Sequence, residues 1–250
     1  MTPEDMKAAL TLAEAAAREA GAALAGRGKD FQGITSEIGH DIKLVADKAA
    51  EDMILKRLGE GSDHAILSEE EGWVGEAGST AWVVDPLDGS SNYNREIPIC
   101  AVSIALIEND RPVLGVIYDF NHDELYAGGK GLGATLNGKP MSVSDISETS
   151  KATLVTGFPT YRDYSDEALA QTARDFARWK KIRMIGSATL STAWVACGRA
   201  DAYSEESTML WDIAAGAALI EAAGGRVFYS DGPIDKPMTV SADNGALPCD

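Results

Sequence analysis

The sequence predicts a mixed α+β protein whose second part passes into α/β alternation. Three observations carry that reading. An alanine-rich helical stretch opens the chain, five short apolar runs divided by turn residues fill positions 65–127, and strand-like and helix-like segments alternate from about residue 150 onward.

Residues 4–25 combine many alanines with interspersed charges, which predicts an amphipathic helix ended by Gly26-Arg27-Gly28. A short hairpin is expected over 31–45, then a second helix over 47–58 with Asp47 near its start. Strands are expected at 65–68, 81–85, 100–107, 113–119 and 123–127, with turns at Glu108-Asn109-Asp110 and Asn121-His122-Asp123. The glycine-rich stretch Gly128 to Gly138 lacks dinucleotide-binding spacing, and Asn137-Gly138 reads as a hairpin turn. Beyond it come strand 152–157, helix 165–179, strand 181–185, helix 187–197, strand 200–204, helix 212–223 and strand 226–229. No low-complexity linker or internal repeat interrupts the chain. The expectation is two subdomains sharing an interface, 1–150 and 151–250, with residues 244–250 as a frayed tail.

The chain has 250 residues, 45% hydrophobic and 24% charged, enough for an ample core. Its net charge of −17 argues against nucleic acid and anionic membranes as partners, because both need a basic face. Solubility alone also accounts for that charge. Cys100, Cys197 and Cys249 are odd in number and lack metal-ligand spacing, which suits reduced thiols in a cytoplasmic protein. Met1 to Leu24 contains acids and no uninterrupted apolar run, so no signal peptide is expected. Nothing approaches the ~20 apolar residues of a membrane span.

Acids dominate the candidate chemistry. Glu69-Glu70-Glu71 follows the apolar run Ala65-Ile66-Leu67, and Asp85 follows Ala81-Trp82-Val83-Val84. Asp88 comes next, in Asp85-Pro86-Leu87-Asp88-Gly89-Ser90-Ser91, and Asp212 follows Trp211. Taken singly, each has a plain explanation: a solvated turn, an Asp-Gly turn, a helix cap. Together they suggest carboxylates crowded at a sheet rim, tolerable when a divalent cation sits among them. Oxygen-only ligands favour Mg²⁺ over zinc, and the N–H groups of Gly89-Ser90-Ser91 suit a phosphate. Metal beside phosphate points to phosphoryl chemistry, where bound Mg²⁺ would offset the acidic charge.

The joint pattern resembles the inositol monophosphatase family, the Mg²⁺-dependent, lithium-sensitive phosphatases. The resemblance rests on Glu69-Glu70, on Asp85-Pro86-Leu87-Asp88-Gly89-Ser90 and on Trp211-Asp212. Gly186-Ser187-Ala188, Gly198 to Tyr203 and Glu221 to Gly225 extend it over roughly residues 5–243. It implies a layered α-β-α-β-α sandwich of the inositol monophosphatase / sugar phosphatase type, and a homodimer. It also implies two or three Mg²⁺ per site. Glu69 and the Leu87 carbonyl would bind the first, Asp85 would bridge, and Asp88 and Asp212 would complete the second. Ser90, with Asp47, would orient a nucleophilic water in an in-line displacement. Asp88, Gly89, Ser90, Ala188, Glu205 and Asp212 would contact substrate, and Glu70 would support the ligands from behind.

Three departures stand out. Ser90 replaces the commoner threonine but keeps the hydroxyl. Lys43-Leu44 replaces the usual Val-Thr, which weakens the case for a third metal at Asp47. Arg95-Glu96 stands where the family often has histidine and glycine, so Arg95 either meets a second anion or pairs with Glu96 or another neighbour. The implied substrate is a small phosphorylated polyol or sugar, inositol-1-phosphate first. Fructose-1,6-bisphosphate, with Tyr161-Arg162 meeting a second phosphate, is the alternative, and histidinol phosphate follows. The segment Ser91-Asn92-Tyr93 does not match the nucleotide-bisphosphatase branch. A catalytically idle scaffold is the reading from another class, and loss of a metal ligand would favour it; none is lost.

Overall fold

The computed structural model describes residues 1–28, 33–38, 41–158, 163–230 and 232–248, with the backbone alone at 37–38 and 41–43. Helix α1 (Pro3–Gly26) starts at Thr2, whose hydroxyl accepts the Asp5 N–H while the Asp5 carboxylate accepts the Thr2 N–H. Its buried stripe of Ala13, Ala16, Ala17, Ala20 and Leu24 is mostly alanine, which lets α2 (Val45–Gly61) lie close against it. The expected hairpin between them is β1 (Ile34–Ile38) and β2 (Asp41–Leu44), paired antiparallel.

Both helices cover one face of an eight-stranded sheet. Its strands are β3 (Ala65–Ser68), β4 (Gly72–Val74), β5 (Thr80–Asp88), β6 (Ala101–Glu108), β7 (Arg111–Asp119), β8 (Glu124–Gly129), β9 (Gly133–Leu136) and β10 (Lys139–Pro140), in the order β10-β9-β8-β7-β6-β5-β3-β4. Alternate residues of the central strands face opposite ways: Val84, Val102, Ile104 and Val116 meet the α1/α2 layer, whereas Val83, Ala105, Ile107 and Ile117 face the other side. That side packs on α5 (Ala188–Ala196) and α6 (Leu210–Ala222), which rest in turn on a five-stranded sheet. The second sheet has the order β12-β11-β13-β15-β14, from β11 (Thr153–Thr156), β12 (Lys181–Arg183), β13 (Ala202–Thr208), β14 (Arg226–Tyr229) and β15 (Met238–Asp243). Phe176, at the end of α4 (Asp166–Phe176), joins Trp179 and Ile182 against the outer apolar cluster of Ala152, Leu154, Ala202 and Leu247. The layers run α-β-α-β-α, as the resemblance implied.

Several elements differ from expectation. The strand expected over 81–85 continues to Asp88, through a register shift between Asp85 and Asp88. A short helix α3 (Ser90–Asn94) follows, too brief to show periodicity in sequence. Strand β15 buries Met238, Val240 and Ala242 and exposes Thr239 and Ser241, an alternation muted by its small residues. The second sheet is therefore mixed, since β13, β14 and β15 pair antiparallel. The tail expected to fray is pinned through residue 247. Asn244 is buried and donates to Ser144 Oγ and the Ile146 carbonyl, and Arg226 donates to the Leu247 carbonyl at 2.7 Å. Residues 249–250, Cys249 among them, lie outside the described residues. Cys100 and Cys197 are free thiols. No helix among the described residues is long and apolar enough to cross a membrane.

A polar clamp joins the first sheet to the segment after α5. Arg199 donates to both Glu124 oxygens at 2.5 and 2.6 Å and to the Tyr126 hydroxyl at 2.7 Å. The guanidinium holds the Glu124 carboxyl well below its usual range, at about 2 against 4.5. Stability from this pair is therefore full above pH 4.5 and lost as pH falls toward about 2. Arg199→Ala should cost about 1.5–3 kcal/mol, lowering Tm by roughly 3–12 °C. It should also flatten the acid side of a Tm-versus-pH curve; an unchanged curve would mean that water replaces the clamp.

Candidate active site

The parallel pairing of β3 with β5 places the first two acids together. Ser68 lies opposite Val84, so Glu69, the residue that follows β3, comes beside Asp85, which is still within β5, and the Glu69 N–H donates to the Val84 carbonyl. The β5 register shift then carries Asp88 onward, and Gly89 turns the chain into α3. Gly89 has φ +87°, and a Cβ there would stand 2.8 Å from the Ile99 carbonyl oxygen, so only glycine fits.

Asp212 arrives from the opposite direction, in the first turn of α6. Burial acts on all of these acids, and repulsion by neighbouring carboxylates adds to it at Glu69, Asp85 and Asp212. Burial first, then the charge of Asp212 and Asp47, lifts Glu69 well above the usual carboxylate range. Burial, then Glu69, Asp88 and Asp212, does the same to Asp85, which is 1% exposed. Burial pushes Asp88 up to about 6 even though its hydrogen bonds oppose the shift, and burial with the Asp88 charge pushes Asp212 up to about 7. Glu69, Asp88 and Asp212 keep some exposed surface while lying deep among protein atoms, as acids on the floor of a cleft would.

The scaffold compensates these charges with backbone amides. Asp212 Oδ2 accepts the Met209 N–H at 3.0 Å and the Thr208 hydroxyl at 3.1 Å. Asp88 Oδ2 accepts the Thr189 N–H at 2.9 Å and the Ser187 hydroxyl, and the Ala188 N–H also steadies it. Asp47 Oδ2 accepts the Leu44 N–H at the start of α2. Asp85 Oδ1 accepts the Leu87 N–H at 3.0 Å. Ser90 Oγ lies 3.0 Å from Asp47 Oδ1 and 2.9 Å from the Leu87 carbonyl. Glu205, on β13, accepts the Tyr203 hydroxyl at 3.0 Å and adds its charge to that acting on Asp212.

Most residues singled out in the sequence thus meet in one place: Asp47, Glu69, Asp85, Leu87, Asp88, Gly89, Ser90, Ala188, Glu205 and Asp212. Glu70 lies beside Glu69, and its charge is felt there. Glu71 points elsewhere, pairing with Lys48. Arg95 is exposed, and the ion pair made by Glu96 is with Arg27 at 3.7 Å. Tyr161 and Arg162 lie outside the described residues. Sequence reasoning missed Glu51. It is wholly buried in α2 and accepts the Ser68 hydroxyl and the Glu71 N–H, bracing the turn that carries Glu69. Its signal was an acid on the buried face of a predicted helix.

In donor type and charge the cluster fits a hard divalent cation: carboxylates and a carbonyl, with no Lys, Arg or His among the leading groups that set their ionisation. The carboxyls sense one another without converging as placed. Among the described residues, no three His, Cys, Asp or Glu side chains already form an ion-sized group.

Comparison with known proteins agrees with the fold and with the family that the sequence resembles. The model of the inositol monophosphatase family matches residues 5–248. An inositol-1-monophosphatase of Synechocystis is 37% identical over 253 aligned positions, 98% of this chain and 88% of that protein. A Nus factor SuhB of Xylella fastidiosa is 43% identical over 183 positions, 72% of this chain and 66% of that protein. The structure of an inositol monophosphatase from Anabaena superposes with a TM-score of 0.85 at 39% identity, covering 97% of this chain and 92% of the other.

The raised acids set a pH dependence of stability in chelator. An acid whose folded pKa is raised costs stability as pH climbs from its ordinary value, 3.8 for aspartate, to its folded value, about 6 for Asp88 and about 7 for Asp212. Thermal melts in EDTA should show Tm falling as pH rises from about 4 to about 7, and Mg²⁺ should restore it at the higher pH. A flat profile unaffected by Mg²⁺ would contradict the electrostatic picture.

Proposed function

Because the chain belongs to the inositol monophosphatase family, we propose that it is a Mg²⁺-dependent phosphomonoester hydrolase whose substrate is inositol-1-phosphate or a close polyol phosphate. The observation that carries this reading is that Glu69, Asp85, Asp88 and Asp212 lie near enough to feel one another's charge, with Asp88 and Asp212 held by amides and hydroxyls rather than by basic side chains. Glu69, Asp85 and the Leu87 carbonyl would hold one cation, and Asp85, Asp88 and Asp212 a second. When bound, such cations supply Lewis-acid stabilisation of the phosphoryl group and lower the pKa of an attacking water.

The chain's own groups do the rest. Ser90 carries one hydroxyl hydrogen, and Asp47 Oδ1 stands 3.0 Å away to receive it. With that hydrogen directed to Asp47, Ser90 Oγ accepts a hydrogen bond from water and fixes its approach. Asp47 keeps its orientation through the Leu44 amide. The N–H groups of Gly89 and Ser90 would hold phosphate oxygens. Ala188 would line the substrate side of the cleft, between residues 1–150 and 151–250. Glu205, held by Tyr203, would accept hydrogen bonds from the polyol hydroxyls, and its charge would repel a second phosphate. That repulsion favours a monophosphate over fructose-1,6-bisphosphate, and histidinol phosphate ranks after both. A homodimer acting in the cytoplasm, without nucleic acid or membrane partners, completes the proposal; the net charge of −17 supports the exclusion of polyanions.

Phosphate release from inositol-1-phosphate, fructose-1,6-bisphosphate and histidinol phosphate tests the reading. Activity should vanish in chelator and return with Mg²⁺, with the highest kcat/KM on inositol-1-phosphate. Asp85→Asn should abolish turnover, whereas Glu71→Gln, whose carboxylate is tied to Lys48, should do little. Full activity in excess EDTA, or equal losses from the two variants, would refute the assignment.

A further inference from the structure

Two of the clustered acids belong to different layers of the fold: Asp88 ends β5 in the eight-stranded sheet, and Asp212 sits in α6 between the sheets. One residue bonds to both. Thr189, wholly buried in the first turn of α5, donates its N–H to Asp88 Oδ2 at 2.9 Å and its hydroxyl to the main-chain carbonyl of Asp212 at 2.9 Å. The Ser187 hydroxyl reaches the same Asp88 oxygen, so the start of α5 is anchored to β5 twice.

The helices that carry this link have little freedom to slide. At Gly216 of α6 a Cβ would lie only 1.8 Å from Thr192 Oγ1 of α5, so the Thr192 side chain packs directly on the Gly216 backbone. The Thr192 hydroxyl in turn donates to the Thr189 carbonyl at 2.8 Å. A displacement at residue 189 is therefore transmitted to the α5–α6 contact.

The Thr189 hydroxyl is not needed to complete α6. The Asp212 carbonyl lies within that helix, where the ladder already offers it the N–H four residues on. Valine would fill the same volume without the bond and would leave no backbone group orphaned. A hydroxyl kept at such a position adds a constraint between Asp212 and Asp88.

We propose that Thr189 is a positioning residue that sets the spacing of the Asp88 and Asp212 carboxylates, and so the affinity of the site for the divalent cation they share. The inference rests on the metal-dependent reading above. Without the hydroxyl the backbone of Asp212 is tethered to α5 by packing alone, and the two ligands lose part of their preorganisation. The loss falls on binding of the cation, not on the water-orienting pair Ser90–Asp47.

The test uses the full chain, stripped with EDTA and dialysed, and Mg²⁺ alone as the probe. Calorimetry measures the Mg²⁺ affinity of wild type, Thr189→Val and Thr189→Ser, and activity measures half-saturating Mg²⁺ and kcat. Thr189→Val should weaken Mg²⁺ binding and raise half-saturation roughly 3- to 10-fold, the worth of one hydrogen bond. Its kcat at saturating Mg²⁺ should stay close to wild type, and Thr189→Ser should recover the affinity. Unchanged Mg²⁺ affinity in Thr189→Val, whatever its Tm or kcat, overturns the inference while leaving the phosphatase reading intact. Wild type that binds no Mg²⁺ overturns both. Should Thr189→Val fail to fold, Thr189→Ala is judged by the same criterion.

Discussion

The placement of buried negative charge against backbone N–H groups governs this fold. Asp47, Asp88 and Asp212 each commit one carboxylate oxygen to an amide at the start of α2, α5 or α6. Helix starts carry partial positive charge, so they hold an acid without neutralising it. A lysine or arginine in the same place would have supplied a full charge and left nothing for a cation. Burial, with the charge of neighbouring acids, raises the proton affinities of Glu69, Asp85, Asp88 and Asp212, and the amides at Asp88 and Asp212 oppose that rise only in part.

That arrangement explains why the layers are stacked as they are. The acids come from more than one layer: α5 and α6, lying between the two sheets, bring their first turns to Asp88 at the end of β5 and to Asp212. Asn92 ties the same region together, since its amide donates to the Ile99 and Ile185 carbonyls at 2.8 and 2.9 Å. Ile185 leads directly into the Gly186-Ser187 turn that presents α5 to Asp88. Tyr93, the next residue, donates its hydroxyl to the Leu24 carbonyl at the end of α1 at 2.8 Å. The short helix carrying Ser90 is thus fixed to the first layer and to the third. Preorganisation of this kind holds reacting groups in place before a substrate arrives.

Much of this was legible in the sequence because strong local signals coincided with the elements that matter. The apolar runs before Glu69 and Asp85 marked β3 and β5, and parallel pairing of those strands sets the two acids side by side. The Asp-Pro-Leu-Asp-Gly-Ser segment announced a strand ending in a turn, although not that the strand would continue past Pro86 by shifting register. Glu51 stayed hidden because an acid at a helical position reads as solvent-facing until the Ser68 hydroxyl that it accepts from β3 is known. Strand β15 and the pinned residues 244–247 were missed for a related reason: their hold on the protein comes from the side-chain amide of Asn244 and from Arg226, contacts that no local pattern reports. The roles of Thr189 and Asn92 are likewise tertiary, arising only where α5 meets β5 and α6.

Binding of divalent cations by the four acids together is the central expectation for this site. Crystals soaked in Mn²⁺, a spectroscopically visible substitute for Mg²⁺, test it most directly through anomalous diffraction. The account predicts anomalous peaks bounded by the carboxylates of Glu69, Asp85, Asp88 and Asp212, with Asp85 adjacent to more than one ion. A well-ordered soaked crystal with no peak at these residues, or with peaks only at surface acids, would contradict it.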